Sequence, residues 1–155
     1  VEMEHHVTHK VVYASDDVVS VLFYVTGYSA PAAHGYHFPV TLNFDLSAGR
    51  EIELSRVFRP GSGYLSRITK LCDEDLRRQF GGHLHGQMTG LEGGLKPRAK
   101  NFRSWVVTPG GLVFIFGEYE VASYADGEPK VLIPFDSLRE IIDPRGALAR
   151  LAAHQ

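Results

Sequence analysis

Ser62-Gly-Tyr-Leu-Ser-Arg-Ile-Thr-Lys-Leu-Cys-Asp-Glu-Asp-Leu-Arg-Arg-Gln-Phe80 is the long stretch of this chain in which apolar residues recur at three- and four-residue steps. Leu65, Ile68, Cys72, Leu76 and Phe80 then share one stripe, which predicts an amphipathic helix. Arg67, Lys70, Glu74, Arg77 and Arg78 fall on the opposite, solvated side. Ser62 is placed to cap the start, and Gly81-Gly82 ends the helix. Cys72, the single cysteine, lies on the apolar stripe, so it is expected to be a buried structural thiol.

On either side of this segment the period changes to two. Val7 to Tyr13 reads as a strand with Val7, His9, Val11 and Tyr13 on one face. Ser15-Asp16-Asp17 turns the chain into Val18 to Thr26, a β-branched and aromatic run suited to a central strand. After a loop from Gly27 to His37, Phe38 to Leu46 alternates apolar residues with Pro39, Thr41, Asn43 and Asp45, the pattern of a half-buried strand. Ser47 to Arg50 is a tight turn, and Glu51 to Leu54 is expected to pair back as a short strand.

Beyond the helix, Gly81 to Lys100 is a long glycine-rich loop. Asn101 to Val107, the turn Thr108-Pro109-Gly110-Gly111 and Leu112 to Phe116 form a hairpin. A loop over Glu118 to Gly127 leads to a strand at Lys130 to Ile133. Pro134 opens a short helix with Leu138, Ile141 and Ile142 inward, stopped at Asp143-Pro144. Trp105 is expected in the core or on the sheet. Strands therefore cluster around one helix without βαβ alternation. The reading is an α+β domain, an antiparallel or mixed sheet of about six to seven strands with one long helix and a short C-terminal helix packed on one face. It is one domain over 1–155, with its core in 7–142 and a tail at 143–155.

The chain has 155 residues, 44% hydrophobic and 22% charged, with a formal net charge of −2. A domain this size buries enough surface to fold without staples. Near-neutral charge gives no bulk attraction to nucleic acid or anionic membrane. No run of 18 apolar residues exists to insert into a bilayer.

Several segments, in order and spacing, resemble one known family. Ala32-Ala33-His34-Gly35 is similar to its Gly-Ala-His loop. Asn43-Phe44-Asp45-Leu46 with Gly49-Arg50 resembles its strand and turn. Asn101-Phe102 with Gly111-Leu112-Val113-Phe114-Ile115-Phe116 resembles its hairpin. Tyr119 to Gly127, with Ile133-Pro134-Phe135 and Leu138, resembles its closing segment. From about Val18 to Ile142 the chain is identified as a member of DUF3298, the extracytoplasmic domain of RsiV-type anti-sigma factors. That domain also resembles accessory domains of peptidoglycan deacetylases and a secreted mycobacterial antigen. Ala32 stands where a glycine is usual and Ser123 where a proline is usual. The family's usual N-terminal partner domain is expected to be absent or cut short here.

The resemblance implies an extracytoplasmic setting, secreted or anchored through a segment not present here, and a non-catalytic role. The implied partner is a protein, such as a muramidase, or a cell-wall glycan, with no cofactor. The residues themselves offer candidates. A glutamate between tyrosines can be held by their hydroxyls and meet a sugar or a partner's arginine, which selects Tyr119, Glu120 and Tyr124. His34 is expected to reach the same sheet edge. The glycine-rich loop could anchor a partner through Leu84, Met88 and Leu91. His34 and His37, and His83 and His85, have spacings that can share a metal, as do His5, His6 and His9 near the start. Two alternatives stand beside the binding reading: a metal-assisted hydrolase of cell-wall sugar using His34, Glu120 or the His83/His85 pair, and a structural module of a larger envelope protein.

Overall fold

A computed structural model describes residues 3–81, 94–118, 120–122 and 127–154. Among the described residues, seven antiparallel strands are shared between two sheets. The first is a meander of β1 (Met3–Ala14), β2 (Val18–Ser29), β3 (Tyr36–Asp45) and β4 (Arg50–Glu51). The second is a meander of β5 (Trp105–Thr108), β6 (Gly111–Ile115) and β7 (Lys130–Pro134). The helices are α1 (Leu54–Val57), α2 (Tyr64–Phe80), α3 (Phe135–Leu138) and α4 (Ala149–Ala153), with a 3-10 turn at Ala99–Phe102.

The layers run helix, small sheet, large sheet. The stripe of α2 buries Ile68, Cys72 and Leu76 against Trp105, Val107, Leu112, Phe114, Val131 and Ile133, one face of the small sheet. The reverse face of that sheet sets Val106 and Ile115 against Leu22 and Val12 of the large sheet. Gly111 is needed where β6 meets β7, because a β-carbon there would lie 2.1 Å from the Ile133 carbonyl oxygen.

The sheets are also joined edge to face. Every second residue of an edge strand turns its N–H and C=O away from the ladder. In β5 these groups belong to Trp105 and Val107, and polar side chains of the large sheet satisfy both of Trp105's and the N–H of Val107. Val107 N–H donates to Ser20 Oγ at 2.9 Å, and Ser20 Oγ donates to Asn43 Oδ1 at 2.6 Å. Asn43 Nδ2 donates to the Trp105 carbonyl at 2.8 Å, and Trp105 N–H donates to Thr41 Oγ1 at 3.2 Å. Ser20 and Asn43 are buried, which is tolerable only because their polar atoms are bonded.

The outer face of the large sheet is the reverse of what alternation suggests. A half-buried strand ordinarily hides its apolar set, yet in β3 Pro39 and Asn43 are buried while Phe38 and Val40 are exposed. The register lines up Val7–Val25–Phe38, His9–Phe23–Val40 and Val11–Val21–Leu42 on this outer face. Burying Asn43, in preference to Leu42 or Phe44, follows from the bonds β5 requires.

Local details depart from the sequence expectations for identifiable reasons. The helix begins at Tyr64 with Gly63 as its cap, at φ 67°, and Ser62 gives no side-chain cap. The left-handed turn at Gly63 suits glycine better than serine. Leu54 opens a helical turn instead of ending a strand. Asn101 and Phe102 lie in the 3-10 turn, so the hairpin strand starts at Trp105. A bulge between Val11 and Tyr13 turns Val12 and Tyr13 both inward, so Tyr13 leaves the face it was expected to share with Val7.

Candidate functional site

The large sheet extends beyond the small one. Its inner face is covered at Asn43, Thr41 and Pro39 by residues 103–107, and further along the strands a polar shelf remains. The register sets His6, Thr26 and His37 in one row across β1, β2 and β3, with Glu4 opposite Tyr28 in the next. A shallow cavity of about 340 Å³ lies over this row, lined in part by Glu4, His6, Thr26, Tyr28 and His37.

The corner where the shelf meets the loop after β6 brings His37 against Glu118. His37 Nδ1 lies 2.5 Å from Glu118 Oε1, with the glutamate side chain 12% exposed and the histidine 39%. On the row toward the small sheet, Tyr24 OH donates to Glu128 Oε1 at 2.9 Å, and Lys130 Nζ donates to Tyr24 OH at 3.0 Å. The same ammonium lies 3.6 Å from Glu128 and 5.7 Å above the Tyr24 ring centroid. The Tyr24 hydrogen bond, aided by Glu128, holds the Lys130 pKa above the ordinary lysine value. The shelf thus presents acceptors, donors and rings side by side, the set that hydroxyl-rich ligands use.

The residues singled out in the sequence are distributed as follows. His34 is exposed in the loop between β2 and β3, its Nδ1 2.7 Å from the Gly35 carbonyl oxygen. Tyr28 OH donates to the Ala32 carbonyl at 3.0 Å across the same loop. Glu120 closes its own turn by accepting Gly117 N–H at 2.8 Å, and it pairs with Arg103 at 2.5 Å. The link between the histidine-bearing segment and the later loop therefore runs through His37 and Glu118, with Glu120 held by Gly117 and Arg103. Tyr119, Tyr124, Leu84, Met88, Leu91, His83 and His85 lie outside the described residues. His5 and His9 face outward in β1 while His6 faces the shelf. Among the described residues no three His, Cys, Asp or Glu side chains converge as metal ligands.

Thr26, Tyr24, Glu128 and Lys130 escaped the sequence reading, which singled out His6 only as a metal candidate. Their signal is strand register, since Thr26 falls between His6 and His37 only once both ladders are paired.

The antiparallel α+β fold is shared with solved structures. A member of the DUF3298 family from Bacteroides fragilis superposes with a TM-score of 0.76 at 14% identity, covering 99% of this chain and 59% of that one. A DUF3298 family protein from Pseudomonas aeruginosa gives 0.66 at 17% identity, covering 90% and 62%. The family model DUF3298, described as a protein of unknown function, matches residues 55–136, and this chain belongs to that family. The chain is also 23% identical over 139 residues to the peptidoglycan-N-acetylmuramic acid deacetylase PdaC of Bacillus subtilis, spanning 90% of this chain and 29% of the deacetylase. Among the described residues no helix is long and apolar enough to cross a membrane.

Proposed function

We propose that this chain is a non-catalytic, extracytoplasmic accessory domain that binds a cell-wall glycan on the shelf bounded by His6, Thr26, His37 and Glu118. The supporting observation is the row His6–Thr26–His37, with His37 set against the largely buried Glu118. It offers several directional polar groups on a rigid strand surface, and recognition of a polyhydroxylated ligand needs such preorganisation. The likeness to a peptidoglycan deacetylase supports the choice of glycan and the extracytoplasmic setting. The reading extends to His34, Tyr119, Glu120 and Tyr124 as further ligand contacts and to Leu84, Met88 and Leu91 as partner contacts.

Calorimetric titration with peptidoglycan fragments tests the proposal, with a muramidase as a second arm. Binding of the fragments should weaken at least about tenfold in His6→Ala and Thr26→Ala, with unchanged thermal stability because both side chains are exposed. Saturable binding of the muramidase alone would replace the glycan with a protein partner. Binding of neither overturns the reading.

A further inference from the structure

The outer face of the large sheet is the second surface that needs an account. Antiparallel sheets on a protein surface ordinarily turn a polar face to water. Here the polar face is the inner one, and the outer face carries Met3 at 59% exposure, Val7 at 62%, Val11 at 52%, Phe38 at 44% and Val40 at 44%. Three strands by about five same-face residues occupy roughly 500 Å² in plan from strand spacing and rise. That matches the upper range for the largest apolar patch of a monomer, about 300–600 Å². It is smaller than the ~800 Å² each partner contributes to a standard interface, so a weak, concentration-dependent pairing is expected.

We infer that this face is a self-association surface, on which two copies of the chain pack large sheet against large sheet. The charge pattern selects the occupant. Along β1 to β3 the acidic and lysine side chains, Glu4, Lys10 and Asp45, all belong to the inner face. The outer face holds no Asp, Glu, Lys or Arg on these three strands, and Glu51, opposite Phe44 on the edge strand β4, stands at its border. A strongly charged face repels its own duplicate, whereas an uncharged one meets it without penalty. A two-fold pairing needs a self-complementary surface of this kind, and two flat three-strand faces pack about 10 Å apart as a sandwich. A glycan does not suit it. The polar rings there are few, and His5 Nδ1 already lies 2.6 Å from Tyr36 OH. Tyr36 reaches His5 across Gly27, where a β-carbon would meet the Tyr36 hydroxyl at 2.5 Å and its ring at 2.6 Å. An anionic bilayer does not suit it either, because no basic rim surrounds the patch and the net charge is −2. The exposed Leu132 lies on the other sheet and is not part of the surface.

Sedimentation equilibrium of the whole chain over roughly two decades of concentration reads the association. The mass should rise from 17.2 kDa toward twice that value. Val40→Lys and Val7→Glu each place a charge at an exposed position of the face, so far-ultraviolet circular dichroism should be unchanged. Both should raise the dimer dissociation constant at least about tenfold by burying an unpaired charge in the interface. Lys10→Glu, on the inner face, should leave it within about twofold. A monomer at every concentration overturns the inference and assigns the face to a different protein layer. A dimer indifferent to both Val40→Lys and Val7→Glu overturns it as well.

Discussion

Cys72 sits in the middle of the α2 stripe with no exposed surface. Burial, with a smaller contribution from the Asp75 charge, pushes its thiol pKa well above the ordinary thiol range. The unfolded chain releases that proton near about pH 8.5 while the folded chain keeps it. Stability tied to Cys72 is therefore complete below that pH and falls as pH rises, by up to about 1.4 kcal/mol per unit. Lys130 acts in the same direction at higher pH, since its raised pKa favours the folded ammonium until it too deprotonates. Thermal unfolding followed from pH 7 to about pH 10 should show this decline, and Cys72→Ala should flatten its first part while lowering stability at neutral pH. At Gly111 the constraint is steric: Gly111→Ala drives a methyl into the Ile133 carbonyl and should cost about 2–4 kcal/mol in urea unfolding.

At the scale of elements, the joint between β5 and the large sheet makes the sharpest prediction. Asn43→Ala strands the Trp105 carbonyl and one bond of Ser20, and should cost about 2–4 kcal/mol. Ser20→Ala strands the Val107 N–H and should cost about 1–3 kcal/mol. Because the two share one network, the double variant should lose clearly less than the two separate losses combined. This joint also marks the limit of what sequence conveys. The periods of two and 3.6 located the strands and the long helix, because each depends on neighbours within a few residues. The alternation of Phe38 to Asp45 identified a strand but not its buried face, since that choice was made by β5, about sixty residues away. Ser62 looked like a helix cap until Gly63 took a backbone conformation that serine disfavours. The candidate shelf shows the same division. His34, His37 and Glu120 were visible as residue types in loops, whereas the row His6–Thr26–His37 exists only through pairing across three strands. Glu118, two residues from the glutamate chosen on chemical grounds, comes against His37 because of how the loop after β6 lies against β3.

For the molecule as a whole, the layer order gives function two separate addresses. The inner overhang faces the loop holding Glu118, and the outer apolar face points the opposite way, so a pair formed through the latter would leave both shelves open. A shelf variant such as Thr26→Ala should then leave the sedimentation behaviour untouched, and Val40→Lys should leave glycan affinity within about twofold. Failure of that independence would show up directly as a change of apparent affinity with protein concentration. The triad Tyr24, Glu128 and Lys130 ties the large sheet to the start of β7, so it couples the shelf to the body of the protein. Lys130→Met should therefore lower the melting temperature modestly, by a few degrees, through lost bonds to a largely buried glutamate.

Trp105, the only tryptophan in the chain, donates its N–H and accepts through its carbonyl at the seam between the two sheets. Its indole is consequently a native fluorophore at a place where both halves must be assembled. Emission should shift in step with circular dichroism during denaturation, and a tryptophan signal that changes first would report the seam opening before either half melts.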